Sequence, residues 1–149
     1  PNDLVAAPIG SYGFCTYVHE LGHALGLDHM GDYTGGDPGP FSFQDTTVYS
    51  VMSYFGPAGP DESNEVEQAD WTVDSETYDV QTPMLSDVLA IQAMYGVSTT
   101  TRTGNTTYGF NATGLGAMDV IFDFTKNAHP VLCIFDSGGI DTLDLSGFT

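Results

Sequence analysis

The eleven residues "HELGHALGLDH", His19 to His29, hold three of the chain's four histidines. That concentration constrains everything around it. The residues leading in read as a half-buried helix: Ser11 can cap its start, Phe14, Val18, Leu21 and Leu25 recur at helical spacing, and Gly26 can stop it. On such a helix His19 and His23 share one face with Cβ atoms about 5–6 Å apart, so one ion can take both. Gly26 tolerates positive φ and turns the chain sharply, which returns His29 toward the same point. Zinc takes imidazole nitrogens in tetrahedral geometry, and catalytic zinc keeps one position open for water. Glu20, beside His19, is placed to face that position and accept the proton of the water.

Independent placement of residues at this composition gives H-E-x-x-H-x-x-G-x-x-H in only about one chain in a hundred thousand, so coincidence explains it poorly. A purely structural zinc site is the stronger rival. Such sites usually recruit cysteine and close all four positions, whereas the motif itself holds none. Cys15 on the helix and Cys133 in an apolar stretch read as two unpaired, buried thiols ahead of a bridge, although a disulfide depends on a spatial approach that spacing leaves open.

With 149 residues, 41% of them apolar, the chain is long enough for one ordinary core. No run of about 18 apolar residues occurs, so no membrane span is expected. The opening "PNDLVAAP" has neither an initiator Met nor a signal segment, which points to a start partway through a longer protein. Twenty acidic residues face only Arg102 and Lys126, a net charge of -18. Nucleic acid is thereby excluded as a partner, because phosphate binding requires clustered bases. Acidic solubilisation in a salty medium and carboxylates that hold divalent cations both remain. The stretch 61–79, with eight carboxylates and no base, reads as a solvated loop.

From Leu27 to about Pro83 the chain is rich in Gly, Pro, Asp and Ser, including "GDYTGGDPGPF" and "FGPAGPDES", as expected for long irregular loops. "TPMLSDVLAIQAMYG" predicts a second buried helix, with Met84, Val88, Ile91 and Tyr95 on one face and Leu85 and Leu89 beside them. Beyond it "TTYGFN", "DVIFDF", "PVLCIFD" and "DTLDLSG" read as short β-strands. "DSGGIDTLD" sets Asp136 and Asp141 around paired glycines, an oxygen-rich turn suited to calcium, with an ion-free hairpin as the alternative.

The histidine motif resembles the long zinc signature of the metzincin endopeptidases, whose second mark is a methionine turn below the metal. "YSVMSYF" places Met52 23 residues after His29 and is similar to that turn in serralysins, secreted bacterial zinc proteases with a calcium-binding β-roll behind the catalytic domain. "LSDVLAIQAMYG", "TRTGNTTYGFN" and "FDSGGIDTLDLSGF" are similar to serralysins as well, so the likeness covers nearly the whole chain.

The resemblance implies an α+β fold: residues 1–96 as the C-terminal part of a metzincin-type zinc protease domain, incomplete at its N-terminus, and 97–149 as the start of the β-roll. It implies zinc on His19, His23 and His29, Glu20 as base, Tyr54 assisting the transition state, and Met52 and Gly26 as supports. It also implies calcium held by Asp136 with the backbone of Arg102, Gly104, Thr106 and Gly138, and a further calcium site begun by Gly139 and Asp141. Protein or peptide substrates and an extracellular location follow. A thermolysin-like protease would take its third ligand from a distant glutamate, and His29 behind Gly26 speaks against it. Three departures concern loop shape and substrate preference: Met30 where serralysins commonly have proline, a longer acidic loop at 57–80, and two cysteines.

Metzincins set a β-sheet before the zinc helix, and its edge strand pairs with the substrate. Only 18 residues precede His19, so that sheet would have to come from the same protein or another chain. Without it the alternative is a catalytically inert zinc- and calcium-binding module.

Overall fold

The computed structural model describes residues 7–33, 40, 42–57 and 68–148. Most of the Gly- and Pro-rich loop segments and the first part of the acidic stretch lie outside the described residues. The chain forms two compact units, one of Pro1–Tyr95 with Val131–Cys133 and one of Gly96–Pro130 with Ile134–Thr149. Helices and short strands are mixed along it. Among the described residues no helix is long and apolar enough to cross a membrane.

In the first unit, helix α1 spans Tyr12–Ala24, and the Ser11 hydroxyl accepts from the Phe14 N–H at 3.3 Å as an N-cap. Its end is a Schellman motif. Gly26, at φ +94°, donates its N–H to His23 O at 2.9 Å, and the Leu27 N–H reaches Gly22 O at 3.0 Å. The expected inward face is corrected: Leu21 and Leu25 are exposed, and the core is met by Cys15, Val18 and Gly22. The cause is a close approach, since a Cβ on Gly22 would sit 2.5 Å from the sulfur of Met52. Met52, 1% exposed, shares the core with Val51, Val80, Met84 and Val131.

Part of the acidic stretch is a hairpin rather than a loop: β1 (Thr72–Val73) pairs antiparallel with β2 (Glu76–Thr77). Its turn residues Asp74 and Ser75 have φ of 51° and 68°, the primed geometry that matches strand twist. Helix α2 spans Leu85–Tyr95 and is not the buried helix its apolar face predicts. Leu85, Leu89, Met94 and Tyr95 are exposed, and the helix's buried residue is Asp87. The segment Val131–Cys133 completes this unit: Gln81 donates its N–H to Val131 O at 2.9 Å, and the Cys133 N–H reaches Thr82 Oγ1 at 2.8 Å. Cys15 and Cys133 form no disulfide and are both partly buried.

In the second unit, β3 (Thr107–Gly109) and β4 (Thr142–Asp144) pair in parallel, with Tyr108 opposite Leu143. Two expected strands are corrected. "DVIFDF" winds instead into helix α3, Asp119–Phe122, continuing a 3-10 turn at Gly116–Met118. Winding buries the neighbours Ile121 and Phe122 together, which a strand would send to opposite faces. "PVLCIFD" forms no ladder among the described residues; in this unit a side chain meets its backbone where Arg102 donates to Phe135 O. Tyr108, Leu115, Ile121, Phe122 and Phe124 form the buried apolar set here.

Candidate metal and catalytic site

Two of the three motif histidines are anchored through Nδ1. His19 Nδ1 lies 2.8 Å from Val51 O, and His23 Nδ1 lies 2.8 Å from Leu27 O. A carbonyl only accepts, so both rings carry their proton on Nδ1 and leave Nε2 with a free lone pair. The Schellman turn supplies the second anchor directly, since Leu27 is its last residue. It also brings His29 back, placing its Nε2 3.1 Å from that of His23. One nitrogen from each of the three rings lies within 4.8 Å of the others, the one such metal-type group among the described residues.

The donor set fits zinc. Bonds of roughly 2.0–2.1 Å in a tetrahedron separate ligand atoms by about 3.3–3.4 Å, close to the His23–His29 spacing. Burial, then the electrostatic cost of gathering a further proton beside His23 and His19, lowers the His29 pKa below its usual value, while Asp28 and Glu20 oppose the shift. The neutral, ligating ring is thereby favoured.

Below the histidines the turn at residues 50–53 is held from α2. The buried Asp87 carboxylate accepts from Ser50 Oγ at 2.5 Å, from the Val51 N–H at 2.8 Å and from the Met84 N–H at 2.7 Å. Val51 in turn presents the carbonyl that orients His19. Asp87 thus acts on the His19 ring at one remove.

Tyr54 stands beside the histidines, its ring centroid 4.5 Å from that of His29, with 62% of its surface exposed. Tyr33 stacks on Tyr54 at 4.5 Å and lies 5.4 Å from the His29 ring as well, so the three rings form a cluster. The Tyr33 hydroxyl donates to the fully buried Asp45 at 2.5 Å, and Ser53 Oγ donates to the same carboxylate at 2.8 Å. Burial, then the bond to Asp45, pushes the Tyr33 hydroxyl up to about 12, so it remains a proton donor. Tyr33, Asp45 and Asp87 were not evident in the sequence. Only Asp87 left a signal there, as an acid within an apolar helical run.

Glu20 is exposed on α1 and borders a cavity of about 490 Å³, together with His19 and Tyr54. The cavity runs from α1 past residues 51–57 to Trp71 and Asp79. A nucleophilic water, a base, a hydroxyl donor and room for a side chain can therefore meet at one place.

The expected calcium residues are gathered in the second unit in two groups. Asp136 accepts from Gly138 N at 2.9 Å and from the Tyr108 hydroxyl at 2.5 Å, while Arg102 donates to that same hydroxyl at 2.7 Å. The Arg102 guanidinium lies 3.9 Å from the carboxylate. The backbone N–H of Gly138, then Tyr108, holds Asp136 below the usual carboxylate range. In the other group, Asp141 Oδ1 accepts from Thr106 N at 2.9 Å, and Thr106 Oγ1 donates to Gly104 O at 3.2 Å. A Cβ on Gly139 would fall 2.4 Å from Gly104 O and 3.0 Å from Asp141 Oδ1, so the glycine keeps a gap between two oxygens open. Hard oxygens around a space that a side chain would fill fit calcium.

Residues 97–149 match the family model described as Peptidase M10 serralysin C terminal. Along 94% of its length the chain is 39% identical to Metalloprotease AprA of Pseudomonas entomophila, and along 95% it is 40% identical to Metallopeptidase AprA of Pseudomonas marginalis. Serralysin A of Dickeya chrysanthemi is 37% identical over 93% of the chain. The chain spans 28%, 29% and 26% of the lengths of these three curated relatives. From the histidine helix to its C-terminal unit, the sequence of this chain is similar to those of serralysins and AprA metalloproteases.

Proposed function

We propose that the chain carries the zinc and catalytic centre of a secreted endopeptidase that hydrolyses internal peptide bonds of proteins. The observation that carries this reading is the convergence of His19, His23 and His29, two of them preset by carbonyl anchors, beside Glu20 and a cavity. Zinc bound there would supply Lewis acidity, lowering the pKa of a water toward about 7 and polarising the scissile carbonyl. Glu20 takes the proton of the attacking water and passes it to the leaving amine. Tyr54 donates its hydroxyl hydrogen to the developing oxyanion, and Met52 and Gly26 support the histidines from below and behind. Calcium on the two oxygen groups of the second unit would tie its loops together. The β-strand edge that aligns an extended substrate would come from a further part of the same protein or from another chain.

Glu20→Gln is expected to retain zinc and lose nearly all proteolysis. Zinc content by atomic absorption and cleavage of a denatured protein substrate check the two halves, and wild-type cleavage by the variant would exclude the assignment. A second reading, an inert zinc- and calcium-binding module, draws support from the quarter or so of the relatives' length that the chain spans. Proteolysis by residues 1–149 expressed alone would dismiss it.

A further inference from the structure

We propose that Asp79 makes the cavity beside Glu20 selective for a basic side chain, lysine or arginine, on the substrate residue next to the scissile bond. The inference rests on the proteolytic reading above and names a substrate class for it. Asp79 lines the cavity with the aromatic rings of Tyr12, Trp71 and Tyr78. Its backbone is clamped: the Asp79 N–H donates to Gly10 O at 2.9 Å, the Tyr78 N–H to Trp71 O at 3.0 Å, and the Gln81 N–H to Val131 O at 2.9 Å. The carboxylate is therefore presented from a fixed segment.

That carboxylate has no hydrogen-bond donor or cation among the described residues, and burial alone raises its pKa. Nor does residues 1–95 hold any lysine or arginine to neutralise it; the chain's two are Arg102 and Lys126, which engage Asp136 and Asp119. A partly desolvated carboxylate without a donor costs free energy that a cationic ligand restores. The surrounding rings favour the same ligand, because a cation is attracted to an aromatic face and a guanidinium can stack while it pairs. An aliphatic side chain would satisfy the rings and leave Asp79 unpaired. An acidic one would meet both Asp79 and Glu20. The net charge of -18 adds long-range attraction for basic peptides.

Trp71 is the chain's single tryptophan, so its fluorescence reports on the cavity without requiring turnover. Titration with N-acetyl-arginine amide is expected to shift the emission saturably, and about tenfold more tightly than its neutral isostere N-acetyl-citrulline amide. Asp79→Asn should erase that difference and Asp79→Glu should keep part of it, with circular dichroism checking that both variants fold. Equal responses to the two amides, or an undiminished difference in Asp79→Asn, would overturn the proposal. In a peptide-library digest the cleaved bonds should be flanked on one side by lysine or arginine, a bias that Asp79→Asn removes. Cleavage with no such bias sinks the selectivity and leaves the protease; arginine-selective fluorescence with no cleavage does the reverse.

Discussion

Each anchored ring at His19 and His23 uses one nitrogen to hold its place and keeps the other for an ion. The positions of these rings were legible in the sequence because helical spacing and a left-handed glycine fix them locally. Tyr33 and Asp45 were not, because their pairing joins positions 12 apart and depends on burial that no periodicity encodes. The expectation that no disulfide joins Cys15 and Cys133 agrees with the structure, and thiol titration gives a test. Burial, then the Asp79 and Asp87 carboxylates, pushes the Cys15 thiol up to about 12 from its usual 9. A folded-state pKa above the unfolded one favours folding fully below pH 9, and that contribution is lost as pH climbs from 9 through 12. Urea unfolding should therefore show stability falling across that window, with a shallower fall in Cys15→Ala. At pH 8 the native thiol should react slowly with a disulfide reagent, and an immediate stoichiometric reaction would contradict the burial.

Helix α2 contributes most through one buried acid. Asp87 gathers the turn before Met52 and the start of its own helix, so a truncation there orphans two backbone N–H groups at once. Asp87→Ala is expected to lower the unfolding free energy by about 2–5 kcal/mol, read from urea denaturation. It should also weaken zinc retention through His19; a variant as stable as the parent would refute the role of Asp87. Helix limits were legible because capping residues are local: Ser11 and Gly26 mark α1 as expected. Inward faces were less so, because α1 turns small residues, not its leucines, toward Met52. The run Asp119–Phe122 illustrates a further limit, since a short apolar stretch fits strand and helix alike until its neighbours decide. The hairpin at 72–77 escaped notice because Asp74 and Ser75 take left-handed φ without a glycine to announce it.

At the scale of the whole chain, acidity and ions are coupled. With two basic residues against twenty acidic ones, repulsion works against compactness, and divalent cations relieve it. Calcium is expected to raise the melting temperature of the second unit, and chelation to lower it, followed by calorimetry. Asp141→Asn should blunt the calcium effect; melting curves that ignore calcium would argue for the ion-free hairpin. The mixed α and β content followed from patterning, whereas the return of Val131–Cys133 to the first unit did not, being a long-range pairing. That return has a consequence in time. A chain made from its N-terminus onward exposes the histidine helix early, yet the core under Met52 lacks Val131 until most of the second unit has left the ribosome. Vectorial synthesis thus postpones the finished support beneath the histidine helix until Val131 has emerged.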